Sequence, residues 1–128
     1  MSSFVVLYHE LPGEGPRRSH WDFMIQRGDG LQTWALPQPP DASGGMVAER
    51  LADHRLEYLR YEGPISAGRG RVTRWDEGTY REELATSLKL ELALRGRRLA
   101  GLVVLTCAAD DHRHWRFEFF ASRSADSA

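Results

Sequence analysis

Three residues near the start of this chain, His9, His20 and Asp22, have the types and spacing from which a reactive centre can be built. Within His20-Trp21-Asp22-Phe23, a strand would send alternate side chains to opposite faces. His20 and Asp22 then share one face, and Trp21 and Phe23 share the other. A surface strand more often carries Lys, Thr or Glu than a histidine beside an aspartate. Two imidazoles and a carboxylate can hold a divalent transition metal and leave coordination positions open. The same residues also fit a surface His–Asp ion pair with an unrelated His9, and spacing alone does not separate these readings.

The elements that must position these residues read as short strands. Phe4 to His9 is a buried first strand, followed by a polar loop from Glu10 to Ser19 whose prolines and glycines exclude a helix. His20 to Arg27 and Leu31 to Leu36 flank Gly28-Asp29-Gly30, a hairpin signal. After the prolines at 37, 39 and 40, Met46 to Asp53 reads as a strand, while His54 to Glu62 is ambiguous. Arg71 to Trp75 reads as a strand, Asp76-Glu77-Gly78 as a tight turn, and Tyr80 to Glu83 as a segment pairing back. Leu88, Leu90, Leu92 and Leu94 alternate with Lys89, Glu91 and Ala93. Their helix propensity points one way, but strict period two followed by Arg95-Gly96-Arg97 points to a hairpin with Leu99 to Thr106. Arg113 to Phe120 closes the series with Trp115, Phe117 and Phe119 on one face, and the small, polar residues 121–128 read as a disordered tail. Strands recurring at this spacing predict an all-β closed barrel or sandwich of about eight strands.

At 128 residues, with 41% hydrophobic and 27% charged residues, the chain reads as one globular domain over 1–128. Its longest apolar run, Leu99 to Ala109, is too short to span a bilayer. Met1-Ser2-Ser3 does not open a secretory signal, and Cys107 is the sole cysteine. A cytoplasmic location is therefore expected. The formal net charge of −1 argues against broad, charge-driven binding of nucleic acid. Arg69, Arg71 and Arg74 form one cluster and Arg95, Arg97 and Arg98 another, a pattern assigned mainly to arginine-rich composition.

Phe4-Val5-Val6 leading to His9, His20-Trp21-Asp22-Phe23, Trp34-Ala35-Leu36-Pro37, Asp53-His54, Glu62-Gly63, Trp75-Asp76-Glu77-Gly78-Thr79-Tyr80 and Leu88 to Leu94 running into Leu99-Ala100-Gly101 form an ordered series. The series resembles the 3′-phosphoesterase domain of bacterial DNA ligase D, from about Phe4 to Phe120. The resemblance implies a compact β-barrel that uses a divalent metal, manganese most often, to remove 3′-phosphates and 3′-ribonucleotides from DNA ends in repair. It implies His9, His20 and Asp22 as metal ligands, with zinc or another transition ion as alternatives, and His54 as the histidine contacting the reacting phosphate. Tyr58 matches a tyrosine near that phosphate. The implied partners are DNA 3′ ends, including primer-templates, and the resemblance leaves open a separately encoded ligase or polymerase.

Four positions depart from the family pattern: Met24, Gln38 and Met46 stand at cationic phosphate-clamp positions and Ala52 at a glutamate. Arg50 lies four residues before His54, so on a regular strand the two face the same way, and Arg50 is a candidate phosphate ligand. Arg17 and Arg18 have the reach to lie over the site. His112 and His114, with Asp110 and Asp111, form a rival cluster that reads as a solvated turn. Trp34, Trp75 and Trp115 read as core or barrel wall and Cys107 as a buried, inert thiol. Metal-dependent phosphoester hydrolysis is the expected function. The thinned clamp keeps two alternatives open, an inactive relative binding metal, DNA ends or a partner, and a phosphodiesterase for a small substrate.

Overall fold

The computed structural model describes residues 2–13, 18–108 and 111–122. It is a closed antiparallel barrel of eight strands. Those eight are β1 (Ser2–Glu10), β2 (His20–Arg27), β3 (Gly30–Leu36), β4 (Met46–Arg55), β6 (Arg71–Ala85), β7 (Lys89–Gly96), β8 (Ala100–Ala108) and β9 (Asp111–Ala121), with a two-residue ninth strand, β5 (Gly63–Pro64), between β4 and β6. The sheet runs β1-β2-β3-β4-β9-β8-β7-β6, and β1 pairs with β6 to close it, while β5 adds to the start of β6. Closure removes the open sheet edges that would otherwise invite pairing with other chains. No helix among the described residues is long and apolar enough to cross a membrane.

Period two decides β7. Leu90, Leu92 and Leu94 all point into the barrel and are buried, with Lys89 and Glu91 outside, so burial overrides the helix propensity of this stretch. The interior is filled by Phe4, Phe23, Trp34, Tyr80, Trp115 and Phe117 with aliphatic neighbours from β1, β2, β3, β4, β7 and β8. Trp34 meets Trp115 edge-on at 5.7 Å, and Phe23 meets Phe117 at 5.4 Å. Each such ring contributes about 1.5–3 kcal/mol of burial, with a smaller increment from the aromatic geometry. Trp75 packs against this core from a half-buried position, and Cys107 is buried.

The expected turn at Asp76-Glu77-Gly78 is absent, because β6 runs unbroken through it. Those residues serve close packing instead. The buried Asp76 carboxylate accepts the backbone N–H groups of Arg97, Arg98 and Leu99 at 2.9, 3.1 and 2.8 Å. It thereby holds the β7–β8 turn from across the sheet. Gly78 passes so near the Arg95 carbonyl that a Cβ would collide with it. Opposite β1, Val6 pairs with Asp76 and Leu7 with Arg74, leaving Trp75 as a bulge. The ambiguous stretch after residue 53 resolves as the end of β4 and a 3-10 turn, Leu56–Leu59. The polar tail starts later than expected: Ala121 belongs to β9 and the Ser122 N–H donates to the Ala100 carbonyl at 2.9 Å. The remainder of that tail lies outside the described residues.

A second, smaller core lies on the outer face of the barrel. Val5 and Leu7 from β1, Met24 from β2, Leu31 from β3 and Val72 from β6 are covered by Leu56, Tyr58, Leu59, Tyr61 and Ile65. This covering segment, running from the end of β4 to β5, presses onto the strands that carry His9 and Asp22. Met24 follows Asp22 on the same face and is buried there, so it forms floor and not ligand.

Candidate metal centre

Register brings the three candidate ligands together. On β1 and β2, His9 pairs with His20 and Leu7 with Asp22, so alternation places both imidazoles and the carboxylate on the outer face beside the second core. The two rings lie 5.1 Å apart. His20 Nε2 stands 3.0 Å from Asp22 Oδ1, and His9 Nδ1 stands 3.6 Å from Asp22 Oδ2. One donor atom from each residue falls within 4.8 Å of the others. Ligands bound at about 2.0–2.2 Å stand roughly 3–4 Å apart around a metal, so the spacing fits with little adjustment.

The outer hydrogen bonds of the histidines carry the fit further. His9 Nε2 lies 2.7 Å from the Arg69 carbonyl, and His20 Nδ1 lies 3.0 Å from the Arg18 carbonyl. A carbonyl only accepts, so both remote nitrogens carry a proton. In the neutral imidazoles the inner nitrogens, His9 Nδ1 and His20 Nε2, then direct lone pairs at carboxylate oxygens. That arrangement is repulsive unless positive charge lies between them, supplied by protons on the rings or by one metal ion. Carbonyl-anchored histidines of this kind are how metal sites fix tautomer and ring orientation.

Asp22 is only 2% exposed, and a buried carboxylate is costly unless paired. Burial pushes its pKa up, but hydrogen bonds from His20 and His9, with the charges of His20 and His54, outweigh this and hold it below the ordinary carboxylate value. It stands ionised, as a metal ligand must.

His54 and Tyr58 complete an open cleft of about 550 Å³ with His9, His20, Asp22 and Arg69. His54 Nδ1 donates to the Ala52 carbonyl at 3.0 Å, and its ring meets Tyr58 edge-on at 5.7 Å. The Nε2 edge is the one left for chemistry.

Arg50 is the exception. Leu31 pairs with His54 and Thr33 with Leu51, so β4 holds one residue more than β3 over this interval. That bulge reverses alternation, sending His54 to the outer face and Arg50 toward the barrel interior. There its guanidinium lies 5.2 Å above the Trp34 ring and bonds Asp53 at 3.1 Å. It opens onto the barrel mouth with Arg27, Gln32 and His112, away from the cleft. Among the clamp positions, Met46 is buried in the interior core, Gln38 is exposed and Ala52 lines the cleft. Arg18 reaches the site through its carbonyl, and Arg17 lies outside the described residues.

Sequence reasoning missed Arg69, which lines the cleft and accepts the His9 hydrogen bond. Its cluster with Arg71 and Arg74 reads in the sequence as arginine-rich composition, and the flanking Gly68 and Gly70 do not reveal what the turn packs against. The rival cluster stays a local motif. His114 bonds the exposed Asp111 at 2.9 Å, and His112 lies beside Cys107. Among the described residues His9, His20 and Asp22 are the one group that meets metal-ligand spacing.

Residues 14–107 match the model of the DNA ligase D 3′-phosphoesterase domain. The chain belongs to this family. Over 87 residues it is 38% identical to the multifunctional non-homologous end joining DNA repair protein LigD of Mycobacterium tuberculosis (strain CDC 1551 / Oshkosh), covering 64% of this chain and 11% of that protein. The LigD of Pseudomonas aeruginosa is 35% identical over 95 residues, 66% of this chain and 11% of that protein. The chain thus spans about a tenth of the length of these multifunctional relatives. The matched span of the 3′-phosphoesterase family contains His20, Asp22, His54 and Tyr58 but begins after His9. What joins His9 to the set is its register with His20.

Proposed function

We propose that this chain is a metal-dependent phosphoesterase that removes a 3′-phosphate or 3′-ribonucleotide from DNA ends, with manganese as its metal. The observation that carries this reading is the convergence of two carbonyl-anchored imidazoles on a buried, ionised carboxylate. His9 Nδ1, His20 Nε2 and an Asp22 oxygen would hold the metal. A divalent ion in such a set polarises a phosphoryl group and lowers the pKa of a bound water. Around it, the chain's own groups do the rest. His54, held through Nδ1 by Ala52, keeps Nε2 to give or take a proton at a phosphoryl or leaving oxygen. Tyr58 packs edge-on against the His54 ring and limits its orientation. The closed barrel wall beneath excludes water from one side of the cleft. Non-homologous end joining, named for the relatives, supplies DNA 3′ ends as the substrate class.

The test is hydrolysis of a 3′-phosphorylated and a 3′-ribonucleotide primer-template with manganese. Wild type turns both over, and Asp22→Asn abolishes turnover while circular dichroism stays native. Full activity in Asp22→Asn would sink the mechanism. Burial of Met24 and Met46 at clamp positions, with a net charge of −1, favours a second reading, a phosphodiesterase on a small substrate. Faster turnover of a small chromogenic phosphodiester than of the DNA end would select it.

A further inference from the structure

We infer that Arg69 binds a phosphoryl oxygen of the substrate in this cleft, an inference that rests on the phosphoesterase reading. Among the described residues the cleft is lined by two arginines, Arg55 and Arg69. Arg55 is 78% exposed and turned to Glu57 at 3.3 Å. Arg69 has no acidic partner among the described residues. Its Nε donates to the Ser66 carbonyl at 2.9 Å and its Nη2 to Ser66 Oγ at 3.1 Å. These bonds fix the plane of the guanidinium and leave the remaining Nη hydrogens unused. Two parallel N–H donors are the geometry that meets a phosphate edge-on.

The turn that presents Arg69 is built to hold it. Ala67 has φ 62°, and among the described residues it is the one non-glycine in the left-handed region. Gly68 and Gly70 follow at 67° and 84°. Such a conformation is disfavoured for alanine and persists where surrounding contacts enforce it. Gly70 lies so close to the Glu10 carbonyl at the end of β1 that a side chain there would collide. The turn is therefore docked on the strand that carries His9, and the Arg69 carbonyl anchors the His9 ring. One residue thus ties a candidate metal ligand to an uncompensated positive charge on the same cleft. A phosphate held by the metal set and His54 would lie within that charge's field, which the buried Met24 and Met46 do not supply.

The experiment compares wild type, Arg69→Ala and Arg69→Lys. Affinity is measured by fluorescence anisotropy for a 3′-phosphorylated and a 3′-hydroxyl oligonucleotide, in EDTA and in manganese. Manganese affinity is measured separately by calorimetry. Arg69→Ala is expected to weaken binding of the 3′-phosphorylated oligonucleotide about ten- to a hundredfold, with binding of the 3′-hydroxyl form and of manganese unchanged. Arg69→Lys recovers part of the loss, because charge returns without the fork. Unchanged affinity in Arg69→Ala overturns the inference, as does a parallel fall in manganese affinity, which would assign Arg69 to holding the turn. If wild type binds 3′-phosphate through Arg69 but never hydrolyses it, the phosphoesterase reading fails and this inference stands. If wild type hydrolyses the end and Arg69→Ala does so equally, the reverse holds.

Discussion

At the scale of single residues, the site separates two side chains that look equivalent in the sequence. Arg50 and His54 are four apart, and a regular strand would present both to the substrate. The β4 bulge presents only His54. Replacing His54 with Ala is expected to lower kcat by about 10²–10⁴, the range typical of a lost general acid–base group. Arg50→Ala should leave kcat and manganese affinity close to wild type, while its lost Trp34 and Asp53 contacts cost about 1 kcal/mol of stability. Steady-state kinetics and urea unfolding of both variants check this. A collapse of kcat in Arg50→Ala would mean that the bulge is misplaced. The parity of His20 and Asp22 was legible because alternation over two residues is a local property of any strand. The parity of Arg50 and His54 was not, since one inserted residue between them depends on how β4 fits β3.

At the scale of elements, the same division between local and long-range information recurs. β2, β3 and β7 could be read from alternation and turn residues, and leucine periodicity in β7 survived a composition that favours helix. β6 was misread because Asp76 and Gly78 carry turn-like identities for reasons that lie on another hairpin. Asp76 accepts three N–H groups of the β7–β8 turn, and no pattern within residues 71–85 encodes that partner. This assigns Asp76 a structural role with a measurable weight. Removing its carboxylate leaves the buried Leu99 N–H and the part-buried N–H groups of Arg97 and Arg98 unpaired, at a cost of about 1–3 kcal/mol for the buried donor and less for the other two. Asp76→Ala is therefore expected to destabilise the chain by about 3 kcal/mol or more, with a smaller loss in Asp76→Asn, whose amide oxygen still accepts. The urea midpoint should fall in that order with the m-value unchanged. Equal stability of all three proteins would remove Asp76 from the turn.

At the scale of the molecule, the candidate metal centre sits where barrel closure and the second core meet. β1 is hydrogen-bonded on both sides, to β2, whose register sets His9 opposite His20, and to β6, which closes the barrel beside them. The unfolded chain lacks this arrangement, so a metal held by these residues would bind the native state preferentially and stabilise it by mass action. At a free concentration one hundred times its dissociation constant, the ion contributes about 2.7 kcal/mol, a rise of about ten degrees in Tm for a chain of this size. The gain should shrink as pH falls, because protons compete with the ion for its ligands. His9→Ala and Asp22→Asn should lose it at every pH. The same manganese titration on these variants by differential scanning calorimetry separates the centre from adventitious binding. An undiminished rise in Tm for Asp22→Asn would place the ion elsewhere, among carboxylates such as Asp111 that lie apart from the cleft.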